Sequence, residues 1–119
     1  MKAVFKKKPK YPETYVECAK ILDCFSALHI DGYKNELFEK LQELLICRDA
    51  YWKIAGEQMG LGKNWNPCGA KDRYIIRRCG DKILKGYNIS CVLEFPSAKM
   101  RDAFYENFKE LIETVKELL

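Results

Sequence analysis

The strongest pattern of apolar and polar positions occupies the last third of the chain. An alternating run, Ile89-Ser90-Cys91-Val92-Leu93-Glu94-Phe95, stops at Pro96, and a helical period then continues to Leu119. The alternation predicts a strand over 89–95. Ser97 is a suitable N-cap for the helix that follows. Met100, Phe104, Phe108, Leu111, Val115 and Leu118 recur along one side of a single uninterrupted helix, with Lys99, Glu106, Lys109, Glu113 and Lys116 opposite. Tyr105, Ile112 and Leu119 add a second apolar row that one small sheet does not fully cover. That surplus leaves room for a homodimer through the C-terminal helix.

Earlier elements follow from the same reading. Thr14 and Glu17 match a capping box, and Val16, Ala19, Ile21 and Leu22 give a first helix ending near Leu22. Residues 23–32 read as a connection closing on the turn dipeptide Asp31-Gly32. A longer helix is predicted over 33–58, with Leu37, Leu41, Leu44, Leu45, Tyr51, Trp52 and Ala55 on its buried face. Arg48 interrupts that face, so it must reach water or an acid. Gly56 weakens the last turn.

The segment 60–69 has no period and is dense in glycine and proline, which makes it a loop. Its Trp65 either plugs the core or stands exposed. A second strand is predicted over 73–79, Gly80-Asp81-Lys82 turns the chain, and residues 82–85 form a short candidate strand before Gly86-Tyr87-Asn88. The fold class is α+β: a single domain of order α-α-loop-β-β(-β)-α, a small antiparallel meander covered by helices. Residues 1–10 form a basic flexible tail, and residues 11–119 the domain.

At 119 residues the chain is long enough for one core and too short for two. The formal net charge of +4 is uneven, because Lys2, Lys6, Lys7, Lys8 and Lys10 crowd the first ten residues. A second basic zone holds Lys63, Lys71, Arg73, Arg77, Arg78, Lys82 and Lys85 against Asp72 and Asp81. No apolar run approaches the ~18–20 residues that cross a bilayer, and the N-terminus lacks the apolar stretch of an export signal. The expected location is the cytoplasm of the producing cell, or a virion. Six cysteines without an export signal read as reduced thiols, of which Cys18, Cys47 and Cys91 fall within apolar patterns. With one histidine and no Cys-x-x-Cys, neither a metal nor another cofactor is expected.

Candidate chemistry is sparse. Gly60-x-Gly62-Lys63 lacks the earlier glycine, the Ser/Thr and the preceding strand of a phosphate loop, so it reads as a helix stop and a turn. His29 with nearby Cys24 has no oxyanion device beside it, and a structural histidine is the simpler reading. The carboxylates interleave with lysines on helix faces, as solvated surface does. The chain therefore reads as non-enzymatic. The words Arg48-Asp49-Ala50-Tyr51-Trp52 and Arg101-Asp102-Ala103-Phe104-Tyr105 echo each other, but their flanks differ, so no internal repeat is inferred.

Two groups of segments carry a resemblance. Ile46-Cys47-Arg48 leads toward the Trp65-Asn66-Pro67 loop, and Cys91-Val92-Leu93-Glu94-Phe95 precedes the Arg101-Asp102-Ala103-Phe104-Tyr105 helix. This combination, over residues 11–119, resembles small uncharacterised proteins encoded by phages and prophages of gut anaerobic bacteria. Such proteins often carry a second aromatic after the Trp-x-Pro, where this chain has Cys68-Gly69. The resemblance implies a role in virion assembly or host interaction and supplies no catalytic residue.

The leading expectation is a non-enzymatic binding or assembly protein of phage type, acting on a protein partner. Its candidate contact residues are Trp65, Asn66, Pro67 and Lys63, with Trp65 as the anchor, since a loop tryptophan offers large apolar area and one polar handle. The alternative is a nucleic-acid-binding accessory protein using Lys6, Lys7, Lys8, Arg73, Arg77, Arg78 and Lys82 on phosphates.

Overall fold

A computed structural model describes residues 11–22 and 36–119. The lysine-rich start, Cys24, His29, the Asp31-Gly32 turn and the predicted start of the second helix lie outside the described residues. Helix α1 spans Tyr15–Leu22 and α2 spans Glu36–Gln58. Thr14 Oγ1 accepts the Glu17 N–H at 3.1 Å, so the Thr14 half of the expected capping box opens α1. The Glu17 carboxylate accepts the Thr14 hydroxyl at 3.2 Å in place of a backbone amide. At the other end of α1 the Lys53 ammonium donates to the Ile21 carbonyl at 2.8 Å. A cation there suits the negative end of the helix dipole.

Strand β1 is Tyr74–Cys79, β2 is Lys82–Tyr87 and β3 is Leu93–Phe95. Gly80, at φ +62°, takes the first central position of the two-residue turn, which a type II′ hairpin reserves for glycine. The sheet order is β2-β1-β3, all antiparallel, so β1 is central and the strands do not run as a simple meander. The middle segment, only a candidate in the sequence, pairs along its full length with β1. The third strand is shorter than the alternation predicts. Arg48 Nη1 donates to the Val92 carbonyl at 3.1 Å, and the Cys91 thiol donates to the Ile76 carbonyl at 2.9 Å. These side-chain contacts stand where the alternation predicts continued pairing.

Helix α3 is Ala98–Asn107, capped by Ser97 Oγ accepting from the Met100 N–H at 3.2 Å. The long helix is not continuous. It breaks at Phe108 (φ −122°, ψ 24°) and resumes as α4, Lys109–Val115, closed by a 3-10 turn at Lys116–Leu118. The break shifts the buried stripe by one position: Met100, Phe104 and Phe108 are followed inside by Ile112 and Val115, while Leu118 is exposed. Ile112 therefore packs in the core, and the Lys85 and Lys109 ammonium groups lie over the Tyr105 ring. Much of the surplus apolar row from which a homodimer was expected is used within one chain.

Ile76, Leu93 and Phe95 turn one sheet face toward the core. Tyr51 sits at its centre, with Tyr11 stacked on it at 5.3 Å and Phe95, Phe104 and Phe108 edge-on between 5.0 and 6.2 Å. Its hydroxyl donates to the Pro12 carbonyl at 2.9 Å and accepts from Asn107 Nδ2 at 3.0 Å. One buried side chain thereby ties the N-terminal segment, α2 and α3 together.

Candidate interaction surfaces

The 60–69 loop folds back onto the end of α2. Leu61 N–H donates to the Gly56 carbonyl and Trp65 N–H to the Trp52 carbonyl, each at 2.9 Å. Gly56 permits this return, since a Cβ there would stand 2.0 Å from the Lys63 carbonyl oxygen. The glycine that weakens the helical reading is thus the seat of the loop.

Trp65 is only 5% exposed and meets Trp52 edge-on at 5.7 Å. Trp52 in turn donates its indole N–H to the Glu94 carbonyl at 2.6 Å and carries the Arg48 guanidinium 4.2 Å above its ring. Trp65 is therefore a core plug, and the reading of it as an exposed anchor is corrected. It is buried because its own backbone is clamped to α2, a contact that no local spacing announces. Asn66 is exposed, but its Oδ1 accepts the Cys68 N–H at 2.8 Å, so it shapes the turn. Pro67 is half-buried and Lys63 exposed.

What the loop does present outward is Met59 and Leu61, 53% and 41% exposed. Sequence reasoning passed over both. The available signal was two large apolar residues on either side of Gly60, past the last buried position of α2.

The basic hairpin is divided by the structure. Arg73 pairs with the buried Glu94 at 3.2 Å and touches Ser90 Oγ at 3.3 Å, which makes it a structural residue. Lys85 pairs with Asp102 at 3.1 Å. Register places Arg77 and Lys82 on one sheet face and Arg78 on the other. These three have no ion pair among the described residues. Lys6, Lys7 and Lys8 lie outside the described residues.

Two titratable groups report the local electrostatics. Desolvation pushes the Asp102 carboxyl up, but the hydrogen bonds and charges of Lys85 and Arg101 outweigh it and hold the group below its ordinary value. The exposed Tyr87 hydroxyl donates to the Asp72 carboxylate, which raises the phenol. Among the described residues no group of three His, Cys, Asp or Glu side chains is placed to hold a metal ion, and no helix is long and apolar enough to cross a membrane. Compared with family models, with curated proteins and with solved structures, the chain matches none.

Proposed function

We propose that the chain is a non-enzymatic binding protein that makes a protein contact through the loop surface around Met59 and Leu61. One observation carries the reading: two large apolar side chains stand outward on a backbone pinned to α2 and seated on Gly56. A fixed loop loses little conformational entropy on binding, so its exposed apolar area converts well into affinity. Exposed Lys63 and Lys71 flank the two side chains and favour an acidic rim on the partner. The phage or mobile-element setting implied by the resemblance belongs to the same proposal.

A second reading, nucleic-acid binding, is favoured by Arg77 and Lys82 sharing a sheet face without an acid partner among the described residues. Affinity capture with three baits separates the two: the natural chain, Met59→Asp with Leu61→Asp, and Arg77→Glu with Lys82→Glu. A protein recovered by the first and third baits and lost from the second supports the loop surface. Nucleic acid recovered by the first two and lost from the third supports the alternative. Equal recovery from all three, with urea midpoints unchanged, overturns both.

A further inference from the structure

β1 has six residues, and β2 pairs with all of them. β3 pairs only with Tyr74, Ile75 and Ile76. Residues Arg77 to Cys79 of the central strand therefore have a strand neighbour on one side alone. The sequence places a strand on the vacant side, since residues 89–95 alternate throughout. The chain instead leaves β1 there, with the Cys91 thiol on the Ile76 carbonyl and Arg48 on the Val92 carbonyl.

The vacancy is lined as a site. A cavity of about 410 Å³ opens at this place, bounded by Arg77, Arg78, Ile89, Val92 and Leu119 among others. Ile89 and Val92 are 48% and 42% exposed. Neither arginine has an ion pair among the described residues. Alternation along β1 turns the Arg78 backbone N–H and carbonyl to the vacant side. Together with apolar side chains and two cations without an ion pair, they favour one kind of occupant. A lysine- or arginine-rich segment, including residues 1–10 of this chain or a second β2 edge with its Lys82 and Lys85, brings like charge and is disfavoured.

We propose that this notch docks an extended acidic peptide segment of a partner protein, lying beside Arg77–Cys79 in line with β3. Its backbone adds to the sheet, two adjacent carboxylates meet Arg77 on one face and Arg78 on the other, and its flanking apolar side chains cover Ile89 and Val92. The surface is separate from the Met59–Leu61 loop, and the proposal stands independently of that one.

The test uses the whole chain and three labelled probes in fluorescence anisotropy. These are a six-residue peptide of valines with two adjacent central glutamates, whose side chains point to opposite faces in a strand, the same peptide with the amides that face β1 N-methylated, and a single-stranded DNA oligonucleotide. Binding of the first peptide, at least tenfold weakening on N-methylation, and about tenfold weakening by Arg78→Glu are expected. The exposed Val92→Asp should weaken the peptide similarly, which guards against a folding defect in one variant, and the Met59→Asp with Leu61→Asp variant should bind it normally. Equal binding of the N-methylated peptide overturns strand addition. Failure of the first peptide to bind at millimolar concentration, or DNA binding that Arg78→Glu abolishes while the peptide does not compete, overturns the proposal as a whole.

Discussion

The Tyr51 ring meets the Phe104 ring edge-on, with centroids 5.0 Å apart and planes at 89°. Each is the fourth residue of an Arg-Asp-Ala-aromatic word, and the two words build the same device. Arg48 Nε donates to Asp49 at 3.0 Å while Nη1 holds the Val92 carbonyl at 3.1 Å. Arg101 Nε donates to Asp102 at 3.0 Å while Nη1 holds the Gly86 carbonyl at 3.0 Å. In both, the acid fixes the guanidinium so that its remaining N–H groups grip the sheet region, and the aromatic three positions on drops into the core. The echo in the sequence is one solution used twice, at the two helices that hold the sheet.

Tyr51→Phe should cost about 1–2 kcal/mol. The ring contacts survive, but the buried Pro12 carbonyl loses its donor and Asn107 its acceptor. Asn107 is only half-buried and can recover a water partner, which keeps the loss at the lower end. A urea midpoint lowered by that amount with an unchanged slope is the expected result. No change would mean that the Tyr51 hydroxyl does not tie these segments together.

Trp65→Ala should destabilise by about 3–5 kcal/mol, the range for removing a buried aromatic. An exposed contact residue would instead lose binding at nearly constant stability. Thermal and urea unfolding of the variant therefore decide between the plug and the anchor.

Gly56→Ala reverses the usual sign. In an unconstrained helix interior this change stabilises by about 1 kcal/mol. Here the added Cβ would lie 2.0 Å from the Lys63 carbonyl oxygen, so the loop must lift. A net loss of about 1–3 kcal/mol is expected, as for overpacking. Enhanced proteolysis within residues 60–66 would mark the displacement, and a stabilised variant would refute the seat.

Stability should fall on the alkaline side. A hydrogen bond with the Cys18 thiol, then burial, raises the Cys47 thiol from its ordinary 9.0, and burial raises the Tyr51 phenol from 10.0 and the Cys91 thiol from 9.0. Above those ordinary values the unfolded chain releases protons that the folded chain retains. The folded state is then favoured fully below pH 9 and progressively less above it, by about 1.4 kcal/mol per pH unit for each group so held. Urea midpoints measured in reductant between pH 7 and 10.5 should decline from about pH 9, where these thiols begin to ionise when unfolded. A flat profile would mean that these groups ionise as freely folded as unfolded.

Local pattern was enough for α1, most of α2, the central strand and the start of α3. In each case the signal is short-range: Thr14 and Glu17 are three residues apart, and so are Ser97 and Met100. The α+β class follows from those elements, because a small sheet must be covered by a helix to bury one face. The basic hairpin was legible as a charged segment, but not as a surface. Only its fold separates Arg73, spent on Glu94, from Arg77, Arg78 and Lys82.

Tertiary contacts decided the rest. Trp65 turns inward because Trp52, thirteen residues earlier, accepts its amide and receives its ring. β3 begins only at Leu93, just past the Val92 carbonyl that Arg48, 44 residues away in sequence, holds. The last helix breaks at Phe108, beside the Asn107 that reaches Tyr51 across 56 residues of chain. Periodicity reports which face of an element is apolar. It carries no information on which distant side chain will claim a carbonyl, and those claims set where this sheet stops and what its loops expose.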